Sequence, residues 1–165
     1  MAIDTSTMNF GEDPTNGQEY IWRITGVFVN KSKNTGSLYI SMNATITDGP
    51  SMGVQARVPM IMLYQPAKKE KTKQYIVEAT QKLAKFLGIN PNEVVLPSKE
   101  RERTETIDAL LNSLFVAKAK WQPESQDANS GRTYPAYWET GFPLRAVLES
   151  ELEGEDDDFS SFFEN

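Results

Sequence analysis

The chain of 165 residues carries 17 Lys and Arg against 23 Asp and Glu, a formal net charge of −6, and contains neither cysteine nor histidine. Those two absences exclude disulfides, Cys/His zinc sites, thiol nucleophiles and imidazole acid–base catalysis, leaving carboxylate, lysine, tyrosine or serine chemistry. The length suits one domain around one core. No apolar run approaches the roughly 20 residues that span a bilayer and no basic-then-apolar signal opens the chain, so a soluble, cytoplasmic protein without a membrane partner is expected.

Residues 1–17 are polar and punctuated by Gly11, Pro14 and Gly17, which predicts a flexible lead-in to a domain over 18–148. Tyr20 to Val29 is dense in aromatic and β-branched residues and predicts a strand. Tyr20, Trp22, Ile24 and Phe28 share one side of that strand by alternation, Arg23 and Thr25 take the other, and Gly26 invites a bulge. The basic turn Asn30 to Gly36, with Lys31 and Lys33, follows.

Ser37 to Thr47 carries the clearest alternation in the chain. Leu38, Ile40, Met42, Ala44 and Ile46 fall on one face, and Tyr39, Ser41, Asn43, Thr45 and Thr47 on the other. After the return at Asp48-Gly49-Pro50, a third strand over 54–64 places Val54, Ala56, Val58, Met60 and Met62 on its apolar side with Gln55 and Arg57 opposite; Pro59 marks an edge or a bulge. The basic run 68–73 leads into a helix whose Ile76, Ala79, Leu83, Phe86 and Leu87 follow the 3.6-residue spacing up to Gly88. A short helical turn at Asn90 to Glu93 and a short helix over 104–112 come next.

Leu114 to Gln122 returns to alternation, with Lys118, Lys120 and Gln122 opposite Phe115, Ala117, Ala119 and Trp121. The aromatic segment Thr133 to Trp138 forms or flanks a last strand. Three strands, a helical insertion and one or two further strands predict a mainly β, α+β fold: a five-stranded barrel resembling the OB-fold, with the helix between strands 3 and 4. Residues 149–165 hold eight carboxylates and no base, so a disordered acidic tail is expected, closing on Asp156, Asp157, Asp158, Phe159, Phe162 and Phe163. With that tail and the first sixteen residues set aside, the body carries 17 bases against 12 acids, and an acidic stretch tipped by aromatics suits a basic pocket with an apolar floor, on a partner or on the body itself.

Single-stranded nucleic acid is held by cations along the phosphates and by rings on which bases stack. Tyr39 on its wet strand face, Arg57 one strand away and Lys118 and Lys120 on another form the expected centre of such a site, joined by Arg23 and by Lys31 and Lys33 of the first loop. Trp22, Trp121, Tyr134, Tyr137 and Trp138 are further stacking candidates; for Trp22 and Trp121, whose neighbours on the same side are apolar, a core position is favoured. Glu100, Glu102, Glu105 and Asp108 alternate with Lys99, Arg101 and Arg103, the pattern of a solvated helix approach more than of a magnesium site, and no metal, cofactor or catalytic residue is expected.

Gly17-x-x-Tyr20 before a strand, Lys31-x-Lys33-x-x-Gly36 in the first loop, Asp48-Gly49 after the second strand and an acidic, Phe-tipped C-terminus together resemble the single-stranded DNA-binding proteins of bacteria and, in size and strand–helix order, those encoded by bacteriophages. The resemblance implies a non-enzymatic protein of the host-cell cytoplasm. Such a protein coats single-stranded DNA without strong sequence preference during replication or recombination, and recruits replication or recombination proteins through its tail. It leaves the choice between monomer and homo-oligomer open. The residues also leave two other classes standing: an interaction adaptor or virion component that binds no nucleic acid, and a carboxylate–metal nuclease.

Overall fold

The structure, a computed structural model, describes residues 11–147; the expected acidic tail over 149–165 lies outside the described residues. Strand β1 (Glu19–Lys31) is long because Trp22, Ile24 and Val29 all bury their side chains in one core, and it serves two neighbours. Its first part, Glu19 to Arg23, pairs antiparallel with β4 (Leu114–Gln122), and from Trp22 onward it pairs with β2 (Leu38–Ile46). Strand β2 pairs in turn with β3 (Gln55–Tyr64).

A four-residue strand then closes the ring. We number the two short strands of a hairpin after β4 as β5 (Ser125–Gln126) and β6 (Thr133–Tyr134), the closing strand as β7 (Tyr137–Thr140) and the last as β8 (Arg145–Ala146). Strand β7 runs antiparallel to β4 and parallel to β3, where Arg57 faces Glu139. The order β1-β2-β3-β7-β4 returning to β1 is a closed five-stranded mixed barrel, OB-like as expected, and closure leaves unpaired only the stretches where a strand outruns its neighbour.

Two of the three register irregularities in the β1–β2 and β2–β3 ladders decide which side chains of β1 and β3 face inward. Between Ile24 and Gly26 the register of β1 advances two residues while β2 advances one, from Ala44 to Asn43. Beyond that point the alternation is inverted, so Val29 is buried and Phe28, expected beside Trp22 and Ile24, is 50% exposed. The same happens on β3, where three residues from Val58 to Ile61 face two of β2 from Met42 to Ile40. Ile61 and Leu63 therefore fill the core in place of the expected Met60 and Met62, and Met60 is exposed. Proline explains the site, since it has no N–H to give to a regular ladder.

Between β3 and β4 the chain makes a 3-10 turn over Pro66–Lys71 and helix α1 (Thr72–Leu87), which ends at Gly88 in the left-handed conformation. Ala79, Leu83, Ala84 and Phe86 are its buried face, and Phe86 meets the barrel edge-on at Phe115, with 4.8 Å between centroids, so the helix seals the barrel core. Ile76, expected on that face, is exposed. A 3-10 turn at Pro91–Glu93 precedes α2 (Glu105–Leu110), where the Thr104 hydroxyl accepts the Ile107 amide as N-cap.

Residues 11–17, expected as part of a flexible lead-in, are bonded to the barrel. The Glu12 amide donates to Pro50 O and the Gly17 amide to Ala119 O, at 2.8 and 2.7 Å, while Pro14 is buried. Gly11 explains why the approach is so close: a Cβ there would lie 2.6 Å from Met52 O.

Candidate nucleic-acid interface

The β2–β3 ladder sets Asn43 opposite Arg57, and the next strands continue the row with Glu139 on β7 and Lys120 on β4. Arg57 is exposed but has a ring partner. Its guanidinium carbon lies 4.3 Å from the centroid of the Tyr137 ring, a cation–π contact that holds a cation and a flat ring in one stack. Glu139 is engaged by Gln122, whose Nε2 donates to Oε1 at 3.3 Å.

Beside this stack lie Trp121 and Trp138, opposite one another in the β4–β7 register, with ring centroids 4.9 Å apart and planes at 60°. The alternation that made Trp121 a core candidate is kept, but the position is at the end of β4 where the barrel stops, and the ring is 45% exposed. Its backbone amide donates to Asn16 Oδ1, so the anchored N-terminal segment steadies this corner. Arg57, Tyr137, Trp121 and Trp138, with Gln55 and Asp13, border an open cleft of about 450 Å³.

Trp22, by contrast, is fully buried, and its indole N–H donates to Ala117 O at 3.0 Å. A ring whose faces are packed and whose only donor is used cannot stack on a base, and the favoured core position is the one it takes.

The remaining candidates fall into separate groups. Tyr39, half-buried, sits opposite Asn30 and Met62, four residues along β2 from Asn43, about 13 Å of strand away from the Arg57 row. It belongs with exposed Lys31 and Lys33 at the first loop, not with Arg57. Arg23 is exposed between Thr45 and Leu114. Lys118 and Lys120 are exposed on β4 with acidic cross-strand neighbours, Glu19 and Glu139, that offset part of their field.

Tyr134 is 45% exposed on the β5–β6 hairpin, which joins the fourth and fifth strands of the barrel, and Arg132 stands exposed beside it. Arg132 was not among the residues singled out from the sequence; the signal was its place in that connection, which shows only once β7 closes the ring. The hairpin turn is built by Asp127. Its carboxylate accepts the Asn129 amide at 2.9 Å and the Ser130 hydroxyl at 3.0 Å, and these bonds hold its pKa below the ordinary aspartate value.

The acidic group at 100–108 has structural partners. Glu102 accepts the Ser98 amide at 2.7 Å and Asp108 pairs with Arg103 at 2.8 Å, and among the described residues no three acids converge as a cation site. Asp156 to Asp158, Phe159, Phe162 and Phe163 lie outside the described residues. No helix among the described residues is long and apolar enough to cross a membrane. Comparison with known proteins finds no family model that matches the chain and no curated protein similar to it in sequence.

Proposed function

We propose that this protein binds single-stranded DNA without strong sequence preference, coating it during replication or recombination, and recruits partner proteins through residues 149–165. The observation that carries the reading is the cleft where Arg57 stacked on Tyr137 adjoins the exposed Trp121–Trp138 pair. Large rings left half in water at a surface are costly unless something flat covers them, and a base offers a π-face whatever its identity. The hairpin with Arg132 and Tyr134 flanks the same strands, and the OB-like barrel supports nucleic-acid binding on its outer face and loops. The chemistry asked of the protein is binding, not catalysis. The resemblance noted from the sequence points to a phage-encoded member of this class, acting in the host-cell cytoplasm.

Fluorescence anisotropy of labelled single-stranded and duplex oligonucleotides at two salt concentrations tests the reading. We expect preference for the single strand, an affinity that falls as salt rises by about 0.7 logarithmic units per phosphate neutralised for each tenfold step, and quenching of tryptophan emission as bases cover Trp121 and Trp138. Absence of salt-sensitive affinity would return the adaptor reading to the front, and magnesium-dependent cleavage would favour the nuclease.

A further inference from the structure

A second cleft, of about 550 Å³, lies away from the Arg57 row, between the second half of β1 and the segment that leads into and out of α2. It exists because β1 outruns its partner. β4 pairs with β1 only as far as Arg23; Ile24 is still bonded to Asn112 and Ser113, and Val29 O accepts the Arg101 amide, but from Thr25 to Phe28 no described strand pairs with β1 on this side. An unpaired stretch of strand edge is a template for one more extended segment.

The lining says what kind of segment. Phe28 and Leu111 are exposed apolar side chains and Ile107 lies beneath them, while Arg101 stands at the rim with Arg103, whose guanidinium is shared with the exposed carboxylate of Asp108. The cleft's one acid, Glu102, is already bonded to the Ser98 amide and hydroxyl. An apolar floor with a basic rim suits an acidic peptide carrying aromatic residues.

Such a peptide belongs to this chain. Residues 149–165 hold eight carboxylates with Phe159, Phe162 and Phe163. The described chain ends next to the cleft: the Val147 amide donates to Leu114 O, and Leu114 follows Leu111 of the lining by three residues. The twelve residue steps from Val147 to Phe159 reach up to about 40 Å when extended, whereas the four-residue unpaired edge is only about 13 Å long. A second copy of the chain carries the same tail, but the chain's own tail is tethered beside the cleft and meets it at a higher effective concentration.

We propose that residues 149–165 dock in this cleft of their own molecule, adding an extended segment along Thr25 to Phe28, with phenylalanine on the Phe28–Ile107–Leu111 floor and carboxylates at Arg101 and Arg103. The inference is independent of nucleic-acid binding. It also places the tail at a different cleft from the one that Arg57 and Tyr137 border.

The test uses the full chain, which has no native cysteine, so Ser160→Cys takes a single nitroxide label. Amide line-broadening is then read in an isotope-labelled sample. We expect broadening at residues 25–29 and 101–111 that does not depend on protein concentration, and its loss when Arg101→Glu is added. Broadening centred on 120–122 and 136–139 would overturn the proposal in favour of the Arg57 cleft. Broadening that appears only between labelled and unlabelled chains would overturn it in favour of a second copy, and no localised broadening would overturn it outright. None of these readouts needs an oligonucleotide, so a failure of DNA binding leaves the result intact.

Discussion

Arg57 and Trp22 illustrate how one residue's role follows from where its strand places it. Removing the Tyr137 ring takes away both a stacking surface and the platform under Arg57. We expect Tyr137→Ala to weaken single-strand binding about 5- to 160-fold, the worth of roughly 1–3 kcal/mol for one stacked base, with little change in thermal midpoint because the ring is partly exposed. Trp22→Ala should do the reverse: loss of a fully buried indole costs about 3–5 kcal/mol of stability and should lower the denaturation midpoint sharply. The two tryptophans Trp22 and Trp121 look alike in sequence, each on the apolar side of an alternating strand. What separates them is that β4 runs past the end of the barrel at Trp121, and no local pattern records where a barrel ends. The wrong pairing of Tyr39 with Arg57 has a similar cause, because alternation gives the face of a residue but not its partner across the ladder.

The elements were more legible than their registers. Helix α1 begins within the end of the basic run and stops at Gly88 as its spacing and glycine predict, and α2 starts where Thr104 can cap it. The Thr104 hydroxyl both accepts the Ile107 amide and donates to Val95 O at 2.8 Å, tying the helix start to the preceding segment. Thr104→Ala should therefore cost about 1 kcal/mol, read as a shift in the urea midpoint at constant m-value.

In the β5–β6 hairpin, the bonds to the Asp127 carboxylate favour its charged form, so their contribution is present above the ordinary aspartate pKa and is lost as pH falls through the depressed folded value. The Asn129 and Ser130 amide resonances, followed by NMR through the acid range, should report that transition below the pH at which an unperturbed aspartate titrates. Asp127→Asn should abolish it. Gly26 and Pro59 marked the bulges correctly, yet a bulge also inverts everything beyond it. That is why Phe28, Met60 and Met62 were assigned to the wrong side.

At the scale of the molecule, the order of strands and helix foretold the closed barrel, and the exact ring could not be read because its last member, β7, is only four residues long and is held to β3 by one parallel pairing. The site is less legible for the same reason, since Tyr137, Trp138 and Trp121 meet only after that strand has closed on β4. The bulges also have a bearing on how this barrel tolerates change in chain length. Each contains one residue more than the ladder needs, so the strand can lose a letter there and still keep its inside and outside. Deleting Thr25 leaves Trp22 and Ile24 in phase with Val27 and Val29; deleting Val29 itself puts Asn30 in its core position and throws the rest of β1 out of phase. We expect the Thr25 deletion to fold with a cooperative thermal transition and the Val29 deletion to give none. Across descendants of this sequence, single-residue gaps in β1 and β3 should accordingly collect at places such as Thr25 and Pro59 or Met60, where the barrel's sense of inside survives a shorter chain.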